Sequence, residues 1–177
     1  SSDPGPDAGT STGKDAGDGG LPSAFDLYTL DPAAKHKSPI SLAVKGDKLG
    51  VTYFVDSQSA DGGVAVELRY VEFAASTRTA AAPEKVAQVT NVFGEPSLAF
   101  DSKGAPHVAY LGPPSNEGTF WYDSKALVSS RSNGTWTSSV AVSVDDEVVG
   151  LYSTLAIDES DNFFVAYRDV NYGQFPV

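Results

Sequence analysis

An all-β fold made of repeated antiparallel sheets is predicted by three observations. Short runs rich in Val, Thr, Tyr, Phe and Trp alternate with turn residues at roughly 8- to 12-residue spacing. Ser97-Leu-Ala-Phe-Asp-Ser-Lys-Gly-Ala-Pro-His-Val-Ala-Tyr110 matches Thr154-Leu-Ala-Ile-Asp-Glu-Ser-Asp-Asn-Phe-Phe-Val-Ala-Tyr167, and Ser41 to Tyr53 is a weaker copy, one residue shorter at its turn. The Leu-Ala pairs begin at Leu42, Leu98 and Leu155, giving spacings of 56 and 57 residues. Finally, the unit from Ser97 to Leu151 divides into four strands. Four antiparallel strands per repeat at a period near 50 is the pattern of a β-propeller blade.

The elements follow in order along the chain. Ser1 to Gly20 is Gly, Asp, Ser, Thr, Pro and Ala with one Lys and no large apolar side chain. Such a segment buries too little surface to offset the entropy of ordering, so a disordered tether is expected over 1–20. The remainder, 21–177, is expected to be the N-terminal part of a propeller. Phe25 to Leu30 precedes the first Leu-Ala pair much as Trp136 to Val142 precedes the third, so 24–30 reads as a lone strand donated to close a blade. Units then start near residues 39, 96 and 153. Strands are expected at Ser41–Val44, Val51–Val55 and Val64–Phe73 in the first unit. Ala74 to Ala82 tolerates a helix, but its threonines and Pro83 suit a strand-to-strand loop as well. In the second unit the strands are Ser97–Phe100, Pro106–Leu111, Leu127–Arg131 and Trp136–Val142, with Asn133-Gly134 as a hairpin turn. The third unit holds two strands before Val177. About two and a half blades are therefore expected, from a ring that needs roughly 350 to 400 residues at six or seven blades. A second polypeptide or a further segment would complete it. A small β-sandwich that happens to repeat is the competing architecture.

Composition removes several classes of chemistry. The chain has 177 residues, 23 acidic against 12 basic side chains and a formal charge of −11. It contains no cysteine, which removes disulfides, thiolate nucleophiles and cysteine-ligated metal centres. Two histidines, His36 and His107, are too few for a multi-histidine metal site. Strong acidity without a basic run argues against nucleic acid as a partner. No apolar stretch nears the roughly 20 residues that span a bilayer.

The segment Pro96 to Tyr110 resembles a repeat of secreted bacterial β-propellers, approximately Pro-Ser-Leu-Ala-Leu-Asp-x-x-Gly-x-Pro-His-Ile-Ala-Tyr, followed later by a strand carrying a tryptophan. Trp136 after Asn133-Gly134 fits that later strand. The likeness covers Pro39 to Val177, closely in the second unit and loosely in the first. It departs in the third, where Asn162-Phe163-Phe164 replaces the Ala-Pro-His run. The resemblance implies a propeller in an exported setting, with the tether as a spacer after a signal peptide or an upstream lipid anchor. It does not imply one activity. Sialidases, also propellers, are only distantly similar, because no Ser-x-Asp-x-Gly-x-Thr-Trp box occurs.

Candidate site residues come from positions where the units differ. Leu42, Leu98 and Leu155, with Tyr53, Tyr110 and Tyr167, recur and read as core. Asp101 and Asp158 are expected to accept hydrogen bonds in their turns. Arg168, where the other units have Phe54 and Leu111, forms with Asp169 either a surface charge pair or part of a ligand channel. His107 aligns with Gly50 and Phe164; it reads as a packed, hydrogen-bonded ring before a catalytic base, and it stands with Arg168 and Asp169 as a candidate ligand contact. No arrangement of Ser, His and Asp suggests a triad, and no spacing selects a carboxylate pair for glycoside hydrolysis. Asp158 and Asp161 lie in an oxygen-rich turn of the kind calcium uses, without the spacing of an EF-hand loop. Phe120, Trp121 and Tyr122, three adjacent aromatics on a long connection, are the leading recognition element for a carbohydrate or peptide. An exported or periplasmic binding module for a carbohydrate, peptide or protein is the expectation, with calcium as the one cofactor considered. The alternative is part of a split glycosidase-like hydrolase or lyase completed by a second chain.

Overall fold

A computed structural model describes residues 28–32, 34, 36–58, 64–89, 94–112, 124–144 and 147–170. The expected tether at 1–20 lies outside them, as do 24–27 of the expected closing strand. Residues 28–30 of that strand run as an irregular segment. The described residues contain strands and turns and no helix.

The strands are β1 (His36–Lys45), β2 (Lys48–Gln58), β3 (Val64–Ala74), β4 (Thr79–Ala80), β5 (Glu84–Val89), β6 (Ser97–Phe100), β7 (Pro106–Leu111), β8 (Ala126–Ser132), β9 (Thr135–Val142), β10 (Val148–Ile157) and β11 (Phe163–Val170). They form three antiparallel sheets. β1, β2 and β3 follow in order, with β4 and β5 both paired to β3. β6 to β9 make a four-stranded meander, and β10 pairs β11. The four expected strands of the second unit are all present within a residue or two. The Ala74–Ala82 stretch resolves as a turn and the two-residue β4, in line with its loop reading. β5 was not anticipated, because Glu84-Lys-Val-Ala-Gln-Val89 carries few β-branched residues. Its Val86 and Val89 are buried, and that burial holds it on the sheet.

Two turn types carry the hairpins. Asn133 and Gly134 both adopt positive φ (50° and 78°) between paired Ser132 and Thr135, the two-residue turn that matches strand twist. In the β6–β7 turn, Asp101 Oδ1 accepts from Lys103 N (2.9 Å) and Ala105 N (2.7 Å). The β10–β11 turn repeats this: Asp158 Oδ1 accepts from Ser160 N (2.9 Å) and Asn162 N (2.8 Å). The fourth turn residue is left-handed in each, Gly104 at φ 77° and Asp161 at φ 62°. The expectation for both aspartates is met.

The sheets stack face to face. One face of the first sheet supplies Phe54, Leu68 and Tyr70, and it meets Leu98, Val108 and Tyr110 of the second sheet in a single core. Glu84 ties the same two sheets at their outer side. It receives Arg131 Nε and Nη2, each at 2.7 Å, and the Trp136 indole N–H at 2.9 Å. The Trp136 ring stands edge-on to Tyr70, with centroids 5.4 Å apart. The second sheet meets the third through Leu111, Val148 and Leu151. A hydrogen bond between the first strands recurs at each junction: Leu98 N–H donates to Ser41 Oγ (3.1 Å), and Leu155 N–H donates to Ser97 Oγ (2.9 Å). Ser41 and Ser97 hold the same place in their units, as do Leu98 and Leu155.

Among the described residues no sheet stacks on either outward face, and Leu30 and Ala34 pack on part of one of them. Leu98 and Leu155 are buried, whereas Leu42 is 57% exposed, between Ile40 at 61% and Val44 at 64%. Phe164 is 58% exposed and Tyr167 also reaches solvent. The expectation that all three leucines and all three tyrosines are core is therefore corrected at Leu42 and Tyr167. Leu42 differs from Leu98 and Leu155 because, among the described residues, no sheet stacks on its face; Tyr167 lies on the opposite face of β11 from Phe164, in a sheet of two described strands.

Candidate functional site

The expected site residues fall into separate places. His107 is buried at the junction of the second and third sheets. Its Nε2 lies 3.4 Å from Asp101 Oδ2, a carboxylate that only accepts, and its Nδ1 lies 2.8 Å from Ser130 Oγ. Its ring meets Phe163 edge-on, centroids 4.8 Å apart. Both nitrogens are engaged, so the packed reading holds and the ring braces the turn of Asp101.

Asp158 and Asp161 do not converge. Asp158 also receives Asn162 Nδ2 at 2.8 Å, while Asp161 reaches the neighbouring turn, accepting from Ser102 N (2.6 Å) and Ser102 Oγ (2.8 Å). Their oxygens are spent on turn closure and on joining consecutive turns. Among the described residues no cluster of three metal-ligating side chains occurs. Arg168 and Asp169 are exposed neighbours on β11 and point to opposite faces of it. Phe120, Trp121 and Tyr122 lie outside the described residues.

Sequence reading missed a polar constellation next to a cavity. On the outward face of the first sheet, a cavity of about 350 Å³ is lined by Tyr28, Leu30, Asp31, Ile40, Val51 and Tyr53, among others. Residues 30 and 34 cover the outer part of this face, packing on Val51, Tyr53, Val55 and Val71. At the polar end, Tyr53 OH donates to Asp31 Oδ2 (2.7 Å) and Arg69 Nη1 donates to the same oxygen (3.2 Å). Arg69 Nε and Nη2 reach Glu67 Oε2 (both 3.2 Å), and Lys85 Nζ lies 3.1 Å from Glu67 Oε1. Burial raises the Tyr53 hydroxyl pKa above its ordinary value, and the Asp31 hydrogen bond adds to this. Tyr53 is thus a donor held in place. Burial also works to raise Glu67, but Lys85 and Arg69 together hold it below the usual carboxylate range. Two acids balance two bases here, so the group orders the face without leaving net charge. The residues were hidden because Asp31 is 38 positions from Arg69, and only the sheet brings them together.

A pH test follows from Asp101. Its partial burial works to raise its pKa, but the Ala105 N–H, the His107 ring and the Lys103 N–H outweigh that and lower it. A carboxyl whose pKa is depressed on folding stabilises the fold above its unfolded pKa of about 3.9, and that support fades as pH falls through the folded value. In urea melts from pH 7 to pH 3, Asp101→Asn should be less stable at pH 7 and show a shallower acid-side loss than the parent chain. A parallel pair of curves would mean the charge contributes nothing.

Comparison with known proteins finds no match: no family model, no curated protein and no solved structure is similar to this chain. Among the described residues no helix is long and apolar enough to cross a membrane.

Proposed function

We propose that this chain is part of a β-propeller that serves as an exported binding module for a carbohydrate, peptide or protein. The observation that carries the reading is the recurring junction, in which Ser41 and Ser97 each accept from the leucine N–H that opens the next sheet. A junction repeated with the same atoms supports an architecture of blades added one after another. The sequence period near 57 residues and the four-stranded meander β6–β9 support the same architecture. In such a ring the connections between strands carry recognition, and the connection expected from the sequence over Gly112 to Lys125 holds the aromatic run. The side-chain chemistry among the described residues supports binding before catalysis. His107, Asp101, Asp158 and Asp161 are engaged in turns, and Glu84 and Arg131 in a junction between sheets. The ring is completed by a second polypeptide, and export fits the acidic, cysteine-free composition and the tether.

The whole chain should be applied to an oligosaccharide array, a peptide array and a panel of chromogenic glycosides. Selective retention that falls at least about tenfold in Trp121→Ala is the expected result, since loss of a stacked aromatic at a binding centre costs on the order of 2 kcal/mol. Glycoside turnover without selective retention would overturn the binding reading in favour of the hydrolase.

A further inference from the structure

We infer that β9 is a dimerisation edge, pairing antiparallel with β9 of a second copy of this chain about a two-fold axis at Ser138. β9 is the outermost strand of the second sheet and, among the described residues, pairs only with β8. It lies within the chain, between the described strands β8 and β10. The inference rests on the order and register of this one sheet, and it stands apart from the propeller and binding readings.

An edge strand leaves a row of backbone N–H and C=O groups unpaired and so is a template for another strand. The first sheet guards its outer edge. That edge is broken into β4 and β5 with Pro83 between them, carries Glu84 and Lys85, and shifts register between Leu68 and Arg69 of β3. Between its hairpin turn and a bulge at Ala141, β9 has none of these devices. Thr135 to Val142 contains no charged residue, no proline and no glycine, in a chain of formal charge −11. Two copies of so acidic a chain repel one another, and a strand without charge is where they can meet at least cost.

Register selects a second copy as the occupant. In a two-residue hairpin the flanking residues, here Ser132 and Thr135, exchange their backbone hydrogen bonds. Hydrogen bonding alternates from there, so Thr135, Thr137 and Ser139 turn their N–H and C=O toward β8. Trp136, Ser138 and Val140 turn theirs to the open edge. The regular run ends at the bulge, where Val140 and Val142 oppose the consecutive residues Leu127 and Ala126. The outward groups are therefore centred on Ser138. A two-fold axis there sets Ser138 opposite Ser138 and Trp136 opposite Val140 of the second copy, so that outward groups meet outward groups.

The side chains match in that same register. An axis perpendicular to the sheet keeps each face on its own side. Val140, 56% exposed, is covered by Trp136 of the second copy, an aromatic against a β-branched residue. Trp136 is already held by Glu84 and Tyr70, so little freedom is lost on pairing. On the other face the exposed hydroxyl residues Thr137 and Ser139 stand opposite one another, a favourable cross-strand pair. The contact is isologous and uses the outer edge of both sheets. The inner edge strand β6 is flanked by β1 and β10, so assembly stops at two. One strand edge falls below the roughly 1,200 Å² of a standard stable interface, so the dimer is weak.

Sedimentation velocity of the full chain from about 10 µM to about 1 mM should show mass rising from monomer to dimer and no further. Val140→Glu should weaken association roughly tenfold or more, because the new carboxylate lies opposite Trp136 and beside Glu84. Its melt at low concentration should match the parent's, since Val140 is exposed. Register is read by disulfide capture, to which a chain without cysteine is suited. An equimolar mixture of Thr137→Cys and Ser139→Cys should form a mixed disulfide dimer under mild oxidation. Their Cα atoms lie about 4.5 Å apart in a pair that is not hydrogen-bonded, within disulfide reach. Each variant alone, its cysteines displaced along the strands, should cross-link far less. A chain monomeric throughout would overturn the inference. So would association that ignores Val140→Glu, grows beyond a dimer, or cross-links either variant alone as well as the mixture.

Discussion

Gly50→Val should destabilise the chain by about 3 kcal/mol, the upper part of the range for overpacking a core. A Cβ at Gly50 would stand 2.8 Å from Leu98 Cδ2, 2.8 Å from Phe100 Cζ and 3.0 Å from Tyr70 Cε2. All three neighbours are buried, and Tyr70 is held further by Trp136 and by its hydroxyl, which donates to Glu72 (3.1 Å). The valine methyls therefore have nowhere to go unless the first and second sheets separate. The backbone of Gly50 asks for no special φ, so the effect is purely one of approach. A loss of this size is a large part of ordinary domain stability and should lower Tm by roughly 6–12 °C in a chain of this length. Differential scanning calorimetry reads it directly, with Gly50→Ala expected to fall between parent and valine variant. A valine variant as stable as the parent would mean the sheets do not meet at Gly50. The equivalent positions carry His107, whose ring meets Phe163 edge-on, and Phe164, which is 58% exposed.

Leu98→Ala should cost about 2–5 kcal/mol, whereas Leu42→Ala should change monomer stability by no more than about 0.5 kcal/mol. The two leucines occupy the same place in the repeat. Leu98 is 6% exposed in the core between two sheets, and Leu42 is 57% exposed on an outward face. Deleting the first leaves a cavity bounded by Phe54, Tyr70 and Val108; deleting the second removes atoms already in water. Urea denaturation should show the midpoint shift for one and not the other. Equal costs would mean that the stacking order of the sheets is wrong.

Much of the fold was legible because local rules dictate it. Asn133-Gly134 specifies its turn through two residues that tolerate positive φ. Asp101 and Asp158 specify theirs through a side-chain oxygen placed to collect two backbone N–H groups. The strands of the second unit follow from β-branched and aromatic runs between those turns. β5 escaped because its hold is tertiary: Val86 and Val89 are buried by the second sheet rather than favoured by local propensity. Among the candidate sites, His107 is packed as one of its two readings expected, since a lone histidine in a recurring strand finds partners on its own sheet. Asp31, Tyr53, Arg69 and Glu67 were not connected, because no local pattern links an irregular segment near residue 30 to the outer side of β3.

The sequence by itself determined the strands, their turns and the spacing at which they recur, because each depends on residues within one hairpin. Tertiary structure alone decided which copies of the recurring residues are core. Leu42 and Leu98 are the same residue in nearly the same local sequence, and burial separates them because one has a sheet stacked on it and the other does not. The same cause leaves Phe164 58% exposed while its counterpart His107 is buried.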